Sequence, residues 1–562
     1  MTRPMPSPRT GGQILVANLL AQGADLAFCV PGESYLPVLD ALYDVRERLR
    51  LIVCRQEGGA AYMAEAYGKL TGRPGIALVT RGPGASNAAV GIHTAAQDSS
   101  PMIVFVGQVG SDFADREAFQ EIDYRRMYGS NVKWVAQIER ADRIPEYVAR
   151  AFRVAQSGRP GPVVLALPED MLVASASVDD AVRVEPTIVY PGPEAIAALR
   201  SRLGQARRPL VLAGGSGWNE RACADLARFV AANALPVACA FRNQDLVDNR
   251  DEHYAGELGI GPNPKLAARV RDADLLLVIG ERLGEMVTSG YTLLSVPNPA
   301  QALVHLHPGA DELGKVYQPS LAIAASLPAA CAALADMPPI AAPVWTGSAS
   351  AAHAEYLSWQ SPRPMPGELD LWQVVGFLRD RLPEDAILVN GAGNYATWLH
   401  RLYRYPRYRT QLAPYSGSMG YGVPAAIAAK AVCPERIVVS WNGDGCFLMN
   451  GQELATAVQY RMNVVFVVVD NGMYGTIRMH QERNYPARVS GTDLVNPDFA
   501  ALARAYGAHG ETVLRTEDFA PAFLRARDSG KPALLHLKLD PQAITPNITL
   551  DALRAQGGAK GA

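Results

Sequence analysis

The sequence predicts an α/β fold of three doubly wound domains with mainly parallel sheets. Three observations carry that prediction. Strand-length β-rich runs alternate with helical patterns along nearly the whole chain, and such alternation folds into parallel sheets wrapped by helices. Stretches holding Pro186, Pro191 and Pro193, and residues 338–366, which are rich in Ala, Ser and Pro, divide the chain into three blocks. The 562 residues, 49% hydrophobic and 19% charged, describe a globular protein with several cores, not a disordered or fibrous chain.

The first block, 11–175, has strand candidates at 26–30, 51–54, 76–80, 103–106 and 163–166, with helical patterns at 37–49 and 59–70. The middle block, 190–337, has them at 210–213, 236–240, 275–279 and 302–306. The third block, 367–545, has them at 386–390, 437–441, 464–469 and 533–538, with a helical stretch near 452–460. The tail beyond Pro546 is rich in Ala and Gly and is expected to be mobile or to fold over a cleft.

Composition excludes several classes. Net charge is −2 without a long basic run, so neither nucleic acid nor an anionic membrane is an expected partner. The longest apolar stretches are strand-sized, short of the ~18 residues that span a bilayer. The opening MTRPMPSPRT has no apolar signal-peptide core. Seven cysteines without CxxC spacing read as reduced thiols, and a cytoplasmic location is expected.

The run 437–441 leads into Gly443-Asp444-Gly445, and the next strand, 464–469, ends at Asp470-Asn471-Gly472. Parallel strands joined by a helix bring both ends to one sheet edge. Asp444 and Asn471 then meet as hard oxygen ligands, which suits Mg²⁺ carrying a phosphate ester. Gly443 and Gly445 let the backbone approach phosphates closely. The plain alternative is a βαβ unit with acidic strand ends. Glu57 opens an apolar helix, where it also suits the positive end of the dipole. Thr80-Arg81-Gly82-Pro83-Gly84-Ala85-Ser86-Asn87 joins a strand to a helix; such a turn alone is a weak signal. Gly417-Ser418-Met419-Gly420 precedes the apolar VPAAIAAKA, and Asn390-Gly391-Ala392-Gly393-Asn394-Tyr395 follows a strand.

Together these motifs resemble the thiamine-diphosphate (ThDP) dependent enzymes of the acetolactate synthase and pyruvate decarboxylase superfamily, most closely the acetolactate-synthase-like branch. The resemblance spans about 11–545, in the order pyrimidine-binding, middle and diphosphate-binding domain. MAEAYGKLTGRPGIALVTRGPGASN, PMIVFVGQV, AFQEID and SMGYGVPAAIAA support it. It implies that Glu57 hydrogen-bonds the aminopyrimidine, favouring the imino tautomer that takes the thiazolium C2 proton. It places Pro31, Gly32, Gly82, Pro83 and Asn87 about the pyrimidine, and makes Met419 the prop of a bent cofactor, with the Gly417 carbonyl accepting from its amine. Gly393, Asn394 and Tyr395 align with a diphosphate-contacting loop, although the family often has Gln-His where this chain has Asn394-Tyr395. The Met473 carbonyl would join Asp444 and Asn471 on Mg²⁺, and Tyr474 and Gly475 would continue the cofactor loop. A homodimer or homotetramer is implied, with active sites shared so that Glu57 acts on a cofactor held by the partner chain.

Departures bear on the substrate. Glu33 stands where the synthases usually have glycine and where the decarboxylases place a catalytic aspartate; it reads equally as an acid/base group or a solvated loop residue. Gln120 matches a synthase glutamine. His480 lies near the position of a synthase tryptophan that selects the second keto acid. Arg478 could hold a substrate carboxylate or phosphate, or lie on the surface. His93 reads as a helix packing residue. Ala213-Gly214-Gly215-Ser216-Gly217 and the stretch around Arg282 resemble flavin-contacting segments of the family and leave room for FAD in the middle block, although His307 stands where the family often has an acidic residue.

The expected activity is therefore a ThDP- and Mg²⁺-dependent carboligase or C–C lyase on 2-keto acids, by ylid attack, decarboxylation and enamine trapping. A 2-keto-acid decarboxylase and an acyl-CoA lyase or decarboxylase are the alternatives, and a non-catalytic paralogue comes last.

Overall fold

The computed structural model describes residues 6–561; the first half of the stretch read for a leader lies outside the described residues. The first domain opens with β1 (Arg9–Thr10), antiparallel to β8 (Ser175–Ala176) at its close. Between them β2 (Leu26–Cys29), β3 (Arg50–Val53), β4 (Gly75–Val79), β5 (Met102–Gln108), β6 (Trp134–Gln137) and β7 (Pro162–Pro168) form one sheet. Its order is β3-β2-β4-β5-β7-β6, parallel throughout.

The middle domain contains β9 (Pro209–Ala213), β10 (Val237–Cys239), β11 (Tyr254–Glu257), β12 (Leu275–Ile279), β13 (Ala302–His307) and β14 (Leu321–Ala324). They form a parallel sheet in the order β11-β10-β9-β12-β13-β14. The third domain contains β15 (Ile387–Asn390), β16 (Gln411–Leu412), β17 (Val438–Gly443), β18 (Val464–Asp470), β19 (His509–Val513) and β20 (Ala533–Lys538). Its order is β16-β15-β17-β18-β20-β19, also parallel. Counted within each domain, the outer sheets share the order 2-1-3-4-6-5, whereas the middle sheet runs 3-2-1-4-5-6. In each, the order reverses beside the first strand, and loops leaving the carboxyl ends there form a natural ligand crevice.

The inner strands β4, β5, β7, β9, β12, β17 and β18 are buried along their whole length. Helices on both faces demand such continuous apolar runs. The chain divides into two compact units. One runs to Thr187 and takes in Ile427–Val432 and Asn450–Tyr460; the other comprises Ile188–Ala426, Cys433–Met449 and the chain from Arg461 onward.

Two expectations need correction. The stretch 338–366 is not all linker: Ser348–Trp359 is a helix that buries Ala349, Ala352 and Tyr356, with Tyr356 edge-on to Tyr254 of β11 at 4.9 Å. The tail is also helical, over Leu550–Gly561. Leu550 enters a small core with Met473, Ile544 and Met479, and Arg554 grips Glu482 through Nε (2.8 Å) and Nη2 (2.6 Å).

Candidate active site

In the third domain β17 and β18 run side by side, with Gly443 opposite Val469, so Asp444 and Asn471 emerge together at one sheet edge. Asp444 is buried. Its Oδ1 accepts from the Gly445 N–H (2.9 Å), and its Oδ2 from the Gly472 N–H (3.0 Å) and Asn496 Nδ2 (2.8 Å). Asn496 Nδ2 also donates to Asp470 Oδ1 (2.7 Å). Asp470 Oδ2 is met by His536 Nε2 (2.8 Å) and Lys538 Nζ (2.6 Å). Burial, with Asp470 beside it, pushes the Asp444 carboxyl up to about 6. Burial also works against the Asp470 charge, but His536, Lys538 and Asn496 hold that carboxyl well below the usual range. Asn471 Oδ1 faces the Met473 N–H at 3.3 Å, and the Met473 side chain turns into the small apolar core.

Asp444, Asn471 and Met473 border a cavity of about 210 Å³. Gly443, Asp444, Gly445, Asn471, Met473, Tyr474 and Gly475 line it, as do Gly393, Asn394, Tyr395, Gly417 and Met419. Every residue assigned to the diphosphate side from sequence is thus brought together. A Cβ on Gly443 would fall 2.5 Å from the Tyr395 ring, and one on Gly445 2.6 Å from the Tyr474 ring, so a side chain at either position would displace a ring that lines the cavity. The residues fit a metal-bound diphosphate: hard oxygen donors, close backbone and a buried carboxylate short of positive charge. Sequence reasoning missed Thr476, Cys446, Trp398 and Ile544, which also line the cavity. Thr476 joins two walls, its Oγ1 accepting from the Asn394 N–H (3.0 Å) and donating to Asn394 Oδ1 (2.9 Å).

The first domain carries the other cluster. Glu57 begins the helix Glu57–Thr71 that follows β3. Asn87 Nδ2 donates to Glu57 Oε2 at 2.9 Å, and a Cβ on Gly84 would lie 3.3 Å from Glu57 Oε1. The loops after β2 and β4 touch, with Ser34 Oγ 3.0 Å from Thr80 Oγ1 and Gly32 packed against Thr80. Gln120, at φ +65°, accepts the Gly82 N–H at 3.0 Å through its carbonyl. Glu57, Gly32, Gly82–Asn87 and Gln120 therefore occupy one edge of one sheet. Pro31 and Glu33 are exposed beside them. His93 is exposed on the helix Gly82–Asp98 and does not pack.

Glu453 escaped sequence reading. Its Oε1 accepts the N–H groups of Arg55 and Gln56, both at 3.0 Å, and its Oε2 the Thr456 hydroxyl at 2.6 Å. A buried carboxylate thus anchors the two residues leading into the helix at Glu57, and burial raises its pKa; the helix itself is capped by Gln56, whose Oε1 accepts the Gly59 N–H at 3.1 Å. The only signal of Glu453 was a lone acid within the apolar pattern of 446–458. Arg478 turns inward instead of toward the cavity: its guanidinium donates to Thr492 Oγ1 (2.8 Å) and to Asp493. His480 is exposed beside Arg483, and partial burial, with the Arg483 charge, lowers its pKa.

Residues 9–127 match the thiamine pyrophosphate enzyme N-terminal TPP binding domain, residues 196–334 the central domain, and residues 391–537 the C-terminal TPP binding domain. The acetolactate synthase isozyme 2 large subunit of Escherichia coli (strain K12) is 32% identical over 536 residues, covering 94% of this chain and 95% of that protein. The acetolactate synthase large subunit of Parasynechococcus marenigrum (strain WH8102) is 33% identical over 552 residues, covering 94% and 87%. That of Lactococcus lactis subsp. lactis (strain IL1403) is 30% identical over 519 residues, covering 90% and 88%.

Proposed function

The chain belongs to the thiamine pyrophosphate enzyme family, in its acetolactate-synthase-like branch, and on that premise we propose a carboligase or C–C lyase acting on 2-keto acids with ThDP and Mg²⁺. Asp444, Asn471 and the Met473 carbonyl would hold Mg²⁺, and Gly443, Gly445, Gly393, Asn394 and Tyr395 the diphosphate. Gly417 and Met419 would meet the rings, and Glu57, with Pro31, Gly32, Gly82, Pro83 and Asn87, the pyrimidine. When bound, the cofactor supplies a carbon nucleophile and an electron sink for decarboxylation.

The protein's own part is orientation and proton control. Glu57 holds or releases a proton at its carboxyl, and Asn87 fixes the direction of that group. Trp398 and Ile544 give the cavity apolar walls, which restrict water. We assign Gln120, at the same sheet edge, and His480, on the helix that continues from the cavity wall, to the substrate side. The observation that carries the reading is the meeting of Asp444 and Asn471 at the ends of paired strands, in a cavity lined by Met419 and Tyr395.

Exposed Glu33, on the turn after β2, keeps a simple decarboxylase as the second reading. An acyl-CoA substrate loses its support, because Arg478 is engaged with Thr492 and Asp493. The proposed assembly is a homodimer or homotetramer with active sites shared between chains. Exposed Leu448, Met449 and Ile477 are apolar surface of the kind that interfaces cover. No helix among the described residues is long and apolar enough to cross a membrane; with all seven cysteines free, a cytoplasmic setting is proposed. The proposal does not extend to FAD, because the two loops bordering the middle-domain crevice pack on each other, a Cβ on Gly215 falling 2.0 Å from the Gly280 carbonyl.

The test is a titration with ThDP and Mg²⁺ followed by turnover of a 2-keto-acid panel headed by pyruvate. Acetolactate as product supports the carboligase, and free aldehyde the decarboxylase. No ThDP-dependent turnover across the panel overturns both.

A further inference from the structure

The middle sheet, ordered 3-2-1-4-5-6, reverses between β9 and β12, and a dinucleotide on such a sheet lies between the loops leaving those strands. Here the place is filled. The buried side chain of Asn243, from the segment after β10, binds the glycine loop from both sides: Oδ1 accepts the Gly215 N–H (3.1 Å) and Nδ2 donates to the Gly215 carbonyl (3.3 Å). The two loops also close on each other. A Cβ on Gly215 would lie 2.0 Å from the Gly280 carbonyl, and one on Gly214 2.8 Å from a carboxylate oxygen of Glu281. The Ser216 hydroxyl is buried there without a partner, one small donor where a diphosphate needs several.

The same segment reaches the third domain. The Arg242 guanidinium donates to the Pro414 carbonyl and Asn243 Nδ2 to the Tyr415 hydroxyl. The Gln244 N–H donates to Gln411 Oε1 (2.8 Å) and its Nε2 to the His400 carbonyl (2.7 Å). Asp245 Oδ2 accepts the N–H groups of Thr410 (3.1 Å) and Gln411 (3.2 Å). Pro414 and Tyr415 lead directly into Gly417 and Met419, which line the cofactor cavity. On its other side, His400 Nε2 lies 3.0 Å from Asn390 Oδ1, whose amide donates to the Gly391 carbonyl (2.7 Å), at the root of the 393–395 wall.

We propose that the middle-domain crevice, filled by its own closed loops and the Asn243 side chain, takes no flavin or other dinucleotide, and that Arg242 and Asn243 are positioning residues for the cavity loops they reach. The second half rests on the ThDP reading; the first does not. Purified protein should show no flavin absorbance band, and titration with FAD followed by calorimetry should give no binding heat. Stoichiometric flavin on purification, or saturable FAD binding, overturns the filled crevice.

R242M and N243A should weaken ThDP/Mg²⁺ binding roughly tenfold, the scale at which outer-shell supports act, read by quenching of intrinsic tryptophan fluorescence. R242K should recover part of that loss. R250A is the control: it removes the Arg250–Glu384 pair, which links the same two domains, and should lower the thermal midpoint while leaving ThDP affinity unchanged. If R242M and N243A change ThDP affinity no more than R250A, the positioning role is overturned. Failure of the parent protein to bind ThDP would sink the enzyme reading instead, and the flavin measurement would still decide the crevice.

Discussion

A carboxylate at a helix start has two possible duties, and this chain separates them. Glu57 begins its helix yet turns its side chain to Asn87 and Gly84, while Gln56 caps the helix and Glu453 anchors the residues before it. E57Q should cut turnover by about 10²–10⁴-fold, the range of general acid–base contributions, with ThDP binding retained in a cofactor titration. Near-normal turnover would end the assigned role. E453A should behave differently. It strips the Arg55 and Gln56 amides of their acceptor, at a cost of about 2–4 kcal/mol, read as a lower denaturation midpoint; E453Q should keep most of that stability. Asp444 differs from both in its proposed role, which is to hold Mg²⁺. Dialysis against a chelator should abolish activity and Mg²⁺ should restore it, whereas D444A should resist rescue. Asp444 and Asn471 were readable because a strand-end acid and amide in successive βαβ units must meet. Glu453 was not, because a buried acid that accepts the amides of a distant turn leaves no local pattern.

At the level of elements, the inner strands were legible and the sheet margins were not. Of the six edge strands only β3 was expected; β6, β11, β14, β16 and β19 were missed. β14 and β19 show why, each burying a single residue: half-wet strands lack the continuous apolar run by which inner strands declare themselves. β16 has only two residues, too short for any periodicity. The C-terminal helix was hidden by composition, since Gly557 reads as a helix breaker. Its missing side chain is what admits the helix against the carbonyls of Glu482 and Arg483, where a Cβ would sit 2.7 and 2.8 Å away. R554A should leave the buried Glu482 carboxylate without its cation, costing about 1–3 kcal/mol. The expected readout is faster proteolysis between 545 and 562, with little change in the main unfolding transition. Unchanged cleavage would show that the apolar contacts of Leu550 hold the helix alone.

The whole molecule shares one buried charge between its middle and third domains. Burial pushes the Asp245 carboxyl up to about 6, against the pull of the Gln411 and Thr410 amides. A carboxyl whose native pKa is raised binds its proton more tightly when folded. Its stabilising share is therefore complete below the unfolded value near 4 and is lost as pH rises through about 6. D245N should accordingly be the more stable protein at pH 8, by about 2–3 kcal/mol, with the gap closing toward pH 4 in denaturant titrations. An equal gap at both pH values would place the effect in packing. A different long-range consequence follows from the short ribbon of β1 with β8, in which Thr10 lies opposite Ser175. The first domain leaves by the door through which it enters, so it is a cassette: spliced between two neighbouring positions of a host loop, it would not force them apart. The amides of Arg55 and Gln56 mark the seam, since their acceptor, Glu453, is supplied from far along the chain and would have to travel with the graft.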